Sequence, residues 1–159
     1  MQQTESKFEC KKYNNTQQYE ITIGFIPGYQ PDINLSRLHN LKKDFNIEYF
    51  NNLYQQISRS NPIATVSGVI QKALVSYPTE WGCPENGEPV YKITCTRNPK
   101  FNPSESEFRE AVLYNVEQLQ KALKQSSVNV VEHQCDVYYF NEIKETGESY
   151  DKKERLYEK

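Results

Sequence analysis

The sequence predicts an α+β fold of the ferredoxin-like kind, βαββαβ, an antiparallel sheet with two helices on one face and a long hairpin between strands 2 and 3. Three observations predict it. Segments with period-two alternation and segments with helical spacing follow in the order strand, helix, strand, strand, helix, strand, the split-βαβ arrangement. Three of the strands carry one apolar and one mostly polar face, as a sheet covered on one side requires. The chain has 159 residues, enough for one domain with a real hydrophobic core.

The first strand is Tyr19 to Ile26, where Tyr19, Ile21, Ile23 and Phe25 alternate with Glu20, Thr22 and Gly24. Pro27-Gly28 and Pro31 then turn the chain. Asp32 or Asn34 could cap a helix carrying Leu35, Leu38, Leu41 and Phe45, and the spacing resumes at Tyr49, Phe50, Leu53, Tyr54 and Ile57. One long helix, or two shorter ones broken near Asn46, satisfies it, and Asn61-Pro62 closes the segment. Ala64 to Tyr77 fits helical spacing, yet it is rich in β-formers and Gly68 weakens a helix interior, so a long strand bent near Gly68 is expected. After a Gly/Pro-rich loop the next strand is Val90 to Arg97. A helix follows, with Asn102 as N-cap, Pro103 at its first position and an apolar stripe from Phe108 to Leu123. The last strand runs from Val128 to Phe140, with Val131, His133, Cys135, Val137 and Tyr139 on one face.

These elements divide the chain into a mobile N-terminal segment 1–17, broken only by a short edge strand near Phe8 to Tyr13, a single domain 18–143, and a charged tail 144–159. With 36% apolar and 25% charged residues it is not disordered by composition, and the mean hydropathy of -0.84 reflects Asn, Gln and Lys on faces and ends. Twelve Tyr and seven Phe mean an aromatic core whose buried hydroxyls need partners.

The formal net charge of -2 excludes the dense cationic surface that nonspecific nucleic-acid binding uses; Lys11-Lys12 and Lys42-Lys43 are solvated faces. No segment has the apolar h-region of a signal peptide or the length of a membrane span, so a cytoplasmic, membrane-free protein is expected. Cys10, Cys83, Cys95 and Cys135 form no close pair and are expected as free thiols. A zinc site from Cys83, Cys95 and His133 has the wrong spacing, so no metal is expected. Glycine-rich phosphate loops are missing: Gly24 and Gly28 lack both the Walker Lys and the dinucleotide spacing, so no cofactor is expected.

The most unusual segment is the loop 78–89, with the single Trp, three Pro, two Gly and three carboxylates. Glu80, Trp81 and Glu88 could stack on and hydrogen-bond a flat or cationic ligand, with Arg97 as an anion partner. His133 has apolar neighbours on its own strand face, which suggests a buried, hydrogen-bonded residue rather than a general base. The other face presents Glu20, Thr22, Gly24, Lys92, Thr94 and Thr96, which lacks the stacking aromatics of an RNA-binding sheet. Over residues 19–140 the order of elements resembles small ferredoxin-like proteins such as the CutA and PII-type groups. That architecture implies trimeric assembly and favours a homo-oligomer.

The functional expectation is a non-enzymatic binding protein. It would hold a small polar or nucleotide-like ligand through Glu80, Trp81, Glu88, Arg97 and His133, a sequestering protein of phage or host-defence type being one form of it. Two alternatives stand beside it: a protein–protein interaction module, and a small enzyme using His133 as general base.

Overall fold

The computed structural model describes residues 7–26 and 45–143. The chain runs through β1 (Lys7–Gly24), α1 (Ile47–Arg59), β2 (Val69–Val75), a 3₁₀ turn (Thr79–Trp81), β3 (Glu88–Thr96), α2 (Glu105–Ala122) and β4 (Asn129–Ile143). The strands form one sheet in the order β2-β3-β1-β4, every pair antiparallel. This is the ferredoxin-like arrangement that the alternation predicted. The candidate helix 32–44, the turn at 27–31 and the tail 144–159 lie outside the described residues.

Strand parity builds the core. Tyr19, Ile21 and Ile23 of β1 stand opposite Cys95, Ile93 and Tyr91 of β3, and all six are buried. Phe50 and Tyr54 of α1 and Phe108, Ala111, Val112 and Leu119 of α2 close over that same face. Phe50 stacks on Tyr91 with ring centroids 4.0 Å apart, and the Tyr91 hydroxyl donates to the Asn46 carbonyl. Burial raises the Tyr91 phenol to about 12. The opposite parity leaves Glu20, Thr22, Gly24, Lys92, Thr94 and Thr96 on the uncovered face, as expected, with Gln18 beside them.

Local chemistry corrects several boundaries. The Asn46 side chain accepts from the Glu48 and Tyr49 N–H groups, so α1 starts at Ile47 with its own cap. Ser104, not Asn102, caps α2, accepting from the Glu107 N–H. Asn102 is held instead in a turn, its N–H donating to the Asn98 carbonyl and its own carbonyl taken by Arg97 Nη1. β2 is shorter than the 64–77 stretch. Tyr54 Oη and Ser58 Oγ both donate to the Val66 carbonyl, so helix side chains rather than a strand partner hold this segment. At Gly68 the chain presses on the sheet so closely that a Cβ would lie 2.7 Å from Ile93 Cγ2.

β1 also reaches back to Lys7, through a segment expected to be largely mobile. Residues 7–13 pair with β4 from Val137 to Ile143, and a bulge at Asn15, with φ 53°, resets the register before Thr16. A ladder partner along most of 7–17 is the reason the mobile reading fails there.

β4 is fastened to α2 through Glu132, which accepts from the Tyr19 hydroxyl at 2.7 Å and from Arg109 Nη2 at 2.9 Å. These two donors hold the Glu132 carboxyl below its usual range. The stability this contributes is present above the ordinary value of 4.5 and is lost as pH falls through the depressed one.

Cys95 is fully buried and its thiol is pushed up to about 11, whereas Cys10 is exposed. Iodoacetamide at pH 8 should therefore label Cys10 and spare Cys95 in the native protein. Peptide mass spectrometry showing equal labelling of the two would contradict the packing described.

Candidate active site

The sheet end where β2 and β3 enter their connecting loop carries a recess of about 260 Å³ on the uncovered face. Its floor is Thr22 and Gly24 of β1 and Val90 of β3; Val75, Tyr77 and Glu88 form one wall, and Gln125 to Ser127 with Asn129 form the other. The register explains the gathering: Gly24 pairs with Val90, Val75 with Glu88, and Thr22 with Asn129. Residues about a hundred positions apart thus meet at one end of the sheet.

Three polar side chains here are held, those of Tyr77, Glu88 and Gln125. The Tyr77 hydroxyl donates to Glu88 Oε2 at 2.8 Å, fixing the carboxylate across the hairpin. Gln125 Nε2 donates to the carbonyls of Ile26 (2.8 Å) and Leu123 (3.1 Å). With both N–H bonds turned to carbonyls, Gln125 Oε1 is left as an acceptor beside Gly24.

A second, larger groove of about 740 Å³ lies between α1 and the 65–70 segment, lined by Asn51, Tyr54, Gln55, Ser58, Arg59 and Ser67 among others. It contains a guanidinium and no carboxylate.

Of the five residues expected to contact a ligand, only Glu88 reaches the recess. Glu80 and Trp81 sit in the 3₁₀ turn, with Trp81 73% exposed, and neither lines it. Arg97 lies beyond the far end of β3, about 30 Å along the strand from Glu88. It is buried: its Nε donates to Gln17 Oε1 at 2.6 Å and its Nη1 to the Asn102 and Pro103 carbonyls, so it is a clamp on the loop before α2. His133 is not a core residue. Tyr19 opposes Glu132 in the β1–β4 ladder and faces the helices, so Glu132 shares that side and His133 falls on the uncovered face. There its Nε2 lies 3.3 Å from Glu20 Oε2, and Lys92 Nζ lies 3.3 Å from Glu20 Oε1. The hydrogen bond with His133, and then the hydrogen bond and charge of Lys92, hold the Glu20 carboxyl below its usual range. A zinc site from Cys83, Cys95 and His133 is ruled out by geometry, since Cys95 and His133 occupy opposite faces of the sheet. Among the described residues no group of three or more His, Cys, Asp or Glu side chains is placed to hold a metal.

Tyr77, Gly24 and Gln125 were missed. The signal for Tyr77 was present: it and Glu88 flank the hairpin loop that stood out by composition. Gln125 carried none, because only the β1–α2 packing brings it to Gly24.

A family model described as SAM lyase matches residues 14–141 of the chain. The chain belongs to the SAM lyase family. That overturns the non-enzymatic reading, because a family of lyases is a family of enzymes; the sequence had displayed no nucleophile or phosphate loop from which to infer catalysis, and His133 was its one candidate base. The match takes in β1 from Asn14 onward, both described helices, β2, β3 and β4 as far as Asn141, so in this SAM lyase family member the first seven residues of β1 lie outside it. Among solved structures, a phage SAM lyase in complex with S-methyl-5'-thioadenosine is similar at 18% identity, covering 83% of this chain and 92% of that one, with a TM-score of 0.40. No curated protein matches. Among the described residues no helix is long and apolar enough to cross a membrane.

Proposed function

We propose that this chain cleaves S-adenosylmethionine without water, in the recess around Glu88, and that it does so in the cytoplasm as a homo-oligomer. The observation that carries the activity is the family match over residues 14–141. Charge selects the recess over the larger groove. The substrate carries a sulfonium, an ammonium and one carboxylate, a net charge of one positive; the recess offers a carboxylate, and the groove offers only Arg59.

The chemistry asks for little beyond position. A lyase adds no water, so the carbon that loses sulfur must take its new bond from within the substrate. The substrate's own carboxylate reaches Cγ to close a five-membered ring; the Cγ–S bond breaks, its electron pair stays on sulfur, and a neutral thioether leaves. No proton moves in that step. The protein's part is to hold the amino-acid arm bent so that oxygen and Cγ meet, which is the proximity contribution.

The recess is slightly smaller than the roughly 300–1,000 Å³ typical of small-molecule sites. A second copy seated on the uncovered face would complete its walls. Val69 and Val131, exposed on that face, supply apolar area for that contact.

The test is incubation with S-adenosylmethionine and mass spectrometry of the products. A thioether nucleoside and a lactone are expected, with no isotope effect from deuterium at Cβ beyond a few per cent. Unchanged substrate would sink the activity. A large Cβ effect would replace ring closure with elimination by a base.

A further inference from the structure

β2 is an edge strand, since the order β2-β3-β1-β4 leaves it no neighbour among the described residues on its outer side. Every second residue of such a strand turns its N–H and C=O away from the sheet, a row with which another extended chain can pair. The larger groove, about 740 Å³, opens beside it, between α1 and the 65–70 segment that leads into β2. Asn51, Gln55 and Arg59 stand four residues apart along α1, so they form one row on the helix side of this groove, and Thr65 and Ser67 line the other side. All five residues are exposed, and none of their side chains is bonded to another described residue. Tyr54 and Ser58, buried on the same helix face, are by contrast spent on the Val66 carbonyl.

Spacing, charge and direction select the ligand. Four residues of helix rise about 6 Å and two residues of extended chain span about 6.7 Å, so successive side chains of the row meet every second peptide group of a strand laid along α1. A carboxamide both donates and accepts, which matches a peptide group, whereas a guanidinium only donates and matches a carboxylate. Arg59 ends the row in the last turn of α1, where the helix dipole is negative. A singly charged carboxylate therefore suits it better than a phosphate dianion. The C-terminal end of α1 meets Val66 through Tyr54 and Ser58, and its N-terminal end meets Lys72, whose Nζ donates to the Phe45 carbonyl. Helix and strand thus run in opposite directions. A chain that ends on Arg59 lies antiparallel to β2, as every pair in this sheet does. We propose that this groove binds the carboxyl-terminal residues of another polypeptide, about four of them, as an added strand, with Asn51 and Gln55 on peptide groups and Arg59 on the terminal carboxylate. The site is separate from the recess at Glu88 and does not depend on the lyase reading.

The test uses the full-length protein and a random hexapeptide pool, prepared once with free carboxyl ends and once amidated. Retained peptides are identified by mass spectrometry, and the strongest is titrated in both forms by fluorescence anisotropy. The free acid should bind about ten- to a hundredfold more tightly than the amide, the size expected of a charge-assisted contact. Arg59→Gln should remove that difference by weakening the acid form alone, and its melting temperature should stay within a few degrees of the parent because Arg59 is exposed. Gln55→Ala should weaken acid and amide alike, by about fivefold. Retention of no peptide overturns the proposal, and so does equal binding of the two forms. Displacement of the peptide by methylthioadenosine places it in the recess and overturns the proposal too. An N-acetyl amino acid that binds as tightly as the hexapeptide reduces the site to a carboxylate pocket and removes the added strand. A fall in the protein's own association in Gln55→Ala gives the groove to a second copy, which overturns it as well.

Discussion

Replacing Glu88 by Gln should lower kcat/KM for S-adenosylmethionine by about ten- to a hundredfold and leave the melting temperature within a few degrees of the parent. The substitution keeps the shape of the side chain and removes its charge. Tyr77 Oη can still donate to the amide oxygen that replaces Oε2, so the hairpin contact survives. What is lost is the charge-assisted contact with a cationic substrate, which contributes about 1.5–3 kcal/mol, roughly a tenfold loss for each 1.4 kcal/mol. Stability should hold because Glu88 is only partly buried and sits at the entrance of β3, not in the core. Tyr77→Phe removes the hydroxyl that fixes the carboxylate and should cost less, about five- to tenfold, since the charge remains. Combining the two should give less than the product of the separate losses, as partners in one network do. Steady-state kinetics on the three variants decides the matter. Wild-type kcat/KM in Glu88→Gln would remove the recess from the mechanism.

Much of this fold could be read from periodicity, and the reasons are physical. In β1 the contrast between Tyr19, Ile21, Ile23 and Glu20, Thr22 is strong, so its buried face was clear and the uncovered face of the sheet followed. The α2 stripe from Phe108 to Leu123 was as plain. β4 offered no such contrast: valine, glutamate, histidine and glutamine succeed one another on both faces. Parity there is set by pairing with β1, which is why His133 was placed on the wrong side. The N-terminal half of β1 is polar on both faces and was expected to be mobile, yet β4 supplies its ladder partner across more than a hundred residues. The cap of α2 was misplaced for a local reason, since Asn102 and Ser104 both suit the role and only the Arg97 contacts choose between them.

The site was less legible than the fold. Composition pointed to the 78–89 loop, and one residue of it, Glu88, does line the recess. The rest of the recess comes from β1, from the end of β2 and from the turn after α2, a set that no spacing rule links. Enzyme activity was invisible for a related reason. In the ring closure we propose, the nucleophile belongs to the substrate, and such a reaction needs no triad, metal pair or phosphate loop to announce it.

The largest expected effect on stability is at Phe50, where substitution by Ala should destabilise the fold by about 3–5 kcal/mol. Phe50 is fully buried and lies flat on Tyr91, with 12° between the ring planes. Tyr91 is in turn in ring contact with Phe45 at 4.7 Å and with Phe25 at 6.1 Å, so one aromatic cluster joins α1 to β3 and β1. Deleting the ring leaves a cavity beneath α1, whose other side chains on the core are Tyr54 and the partly buried Leu53 and Ile57. Domains of this size are stable by only about 5–15 kcal/mol, so the variant should sit near the edge of folding. Phe50→Leu refills most of the space and should retain well over half of the lost stability. Urea unfolding gives the comparison: the midpoint should fall sharply for Ala and modestly for Leu, with the slope unchanged in both. A loss under about 1 kcal/mol for Phe50→Ala would show that α1 does not pack on Tyr91 as described. The recess provides an independent reading of the same contact. Tyr91 lies next to Val90 in β3, so a loosened α1 should raise KM through the strand while Glu88→Gln, at the other side of the hairpin, leaves the unfolding midpoint where it was.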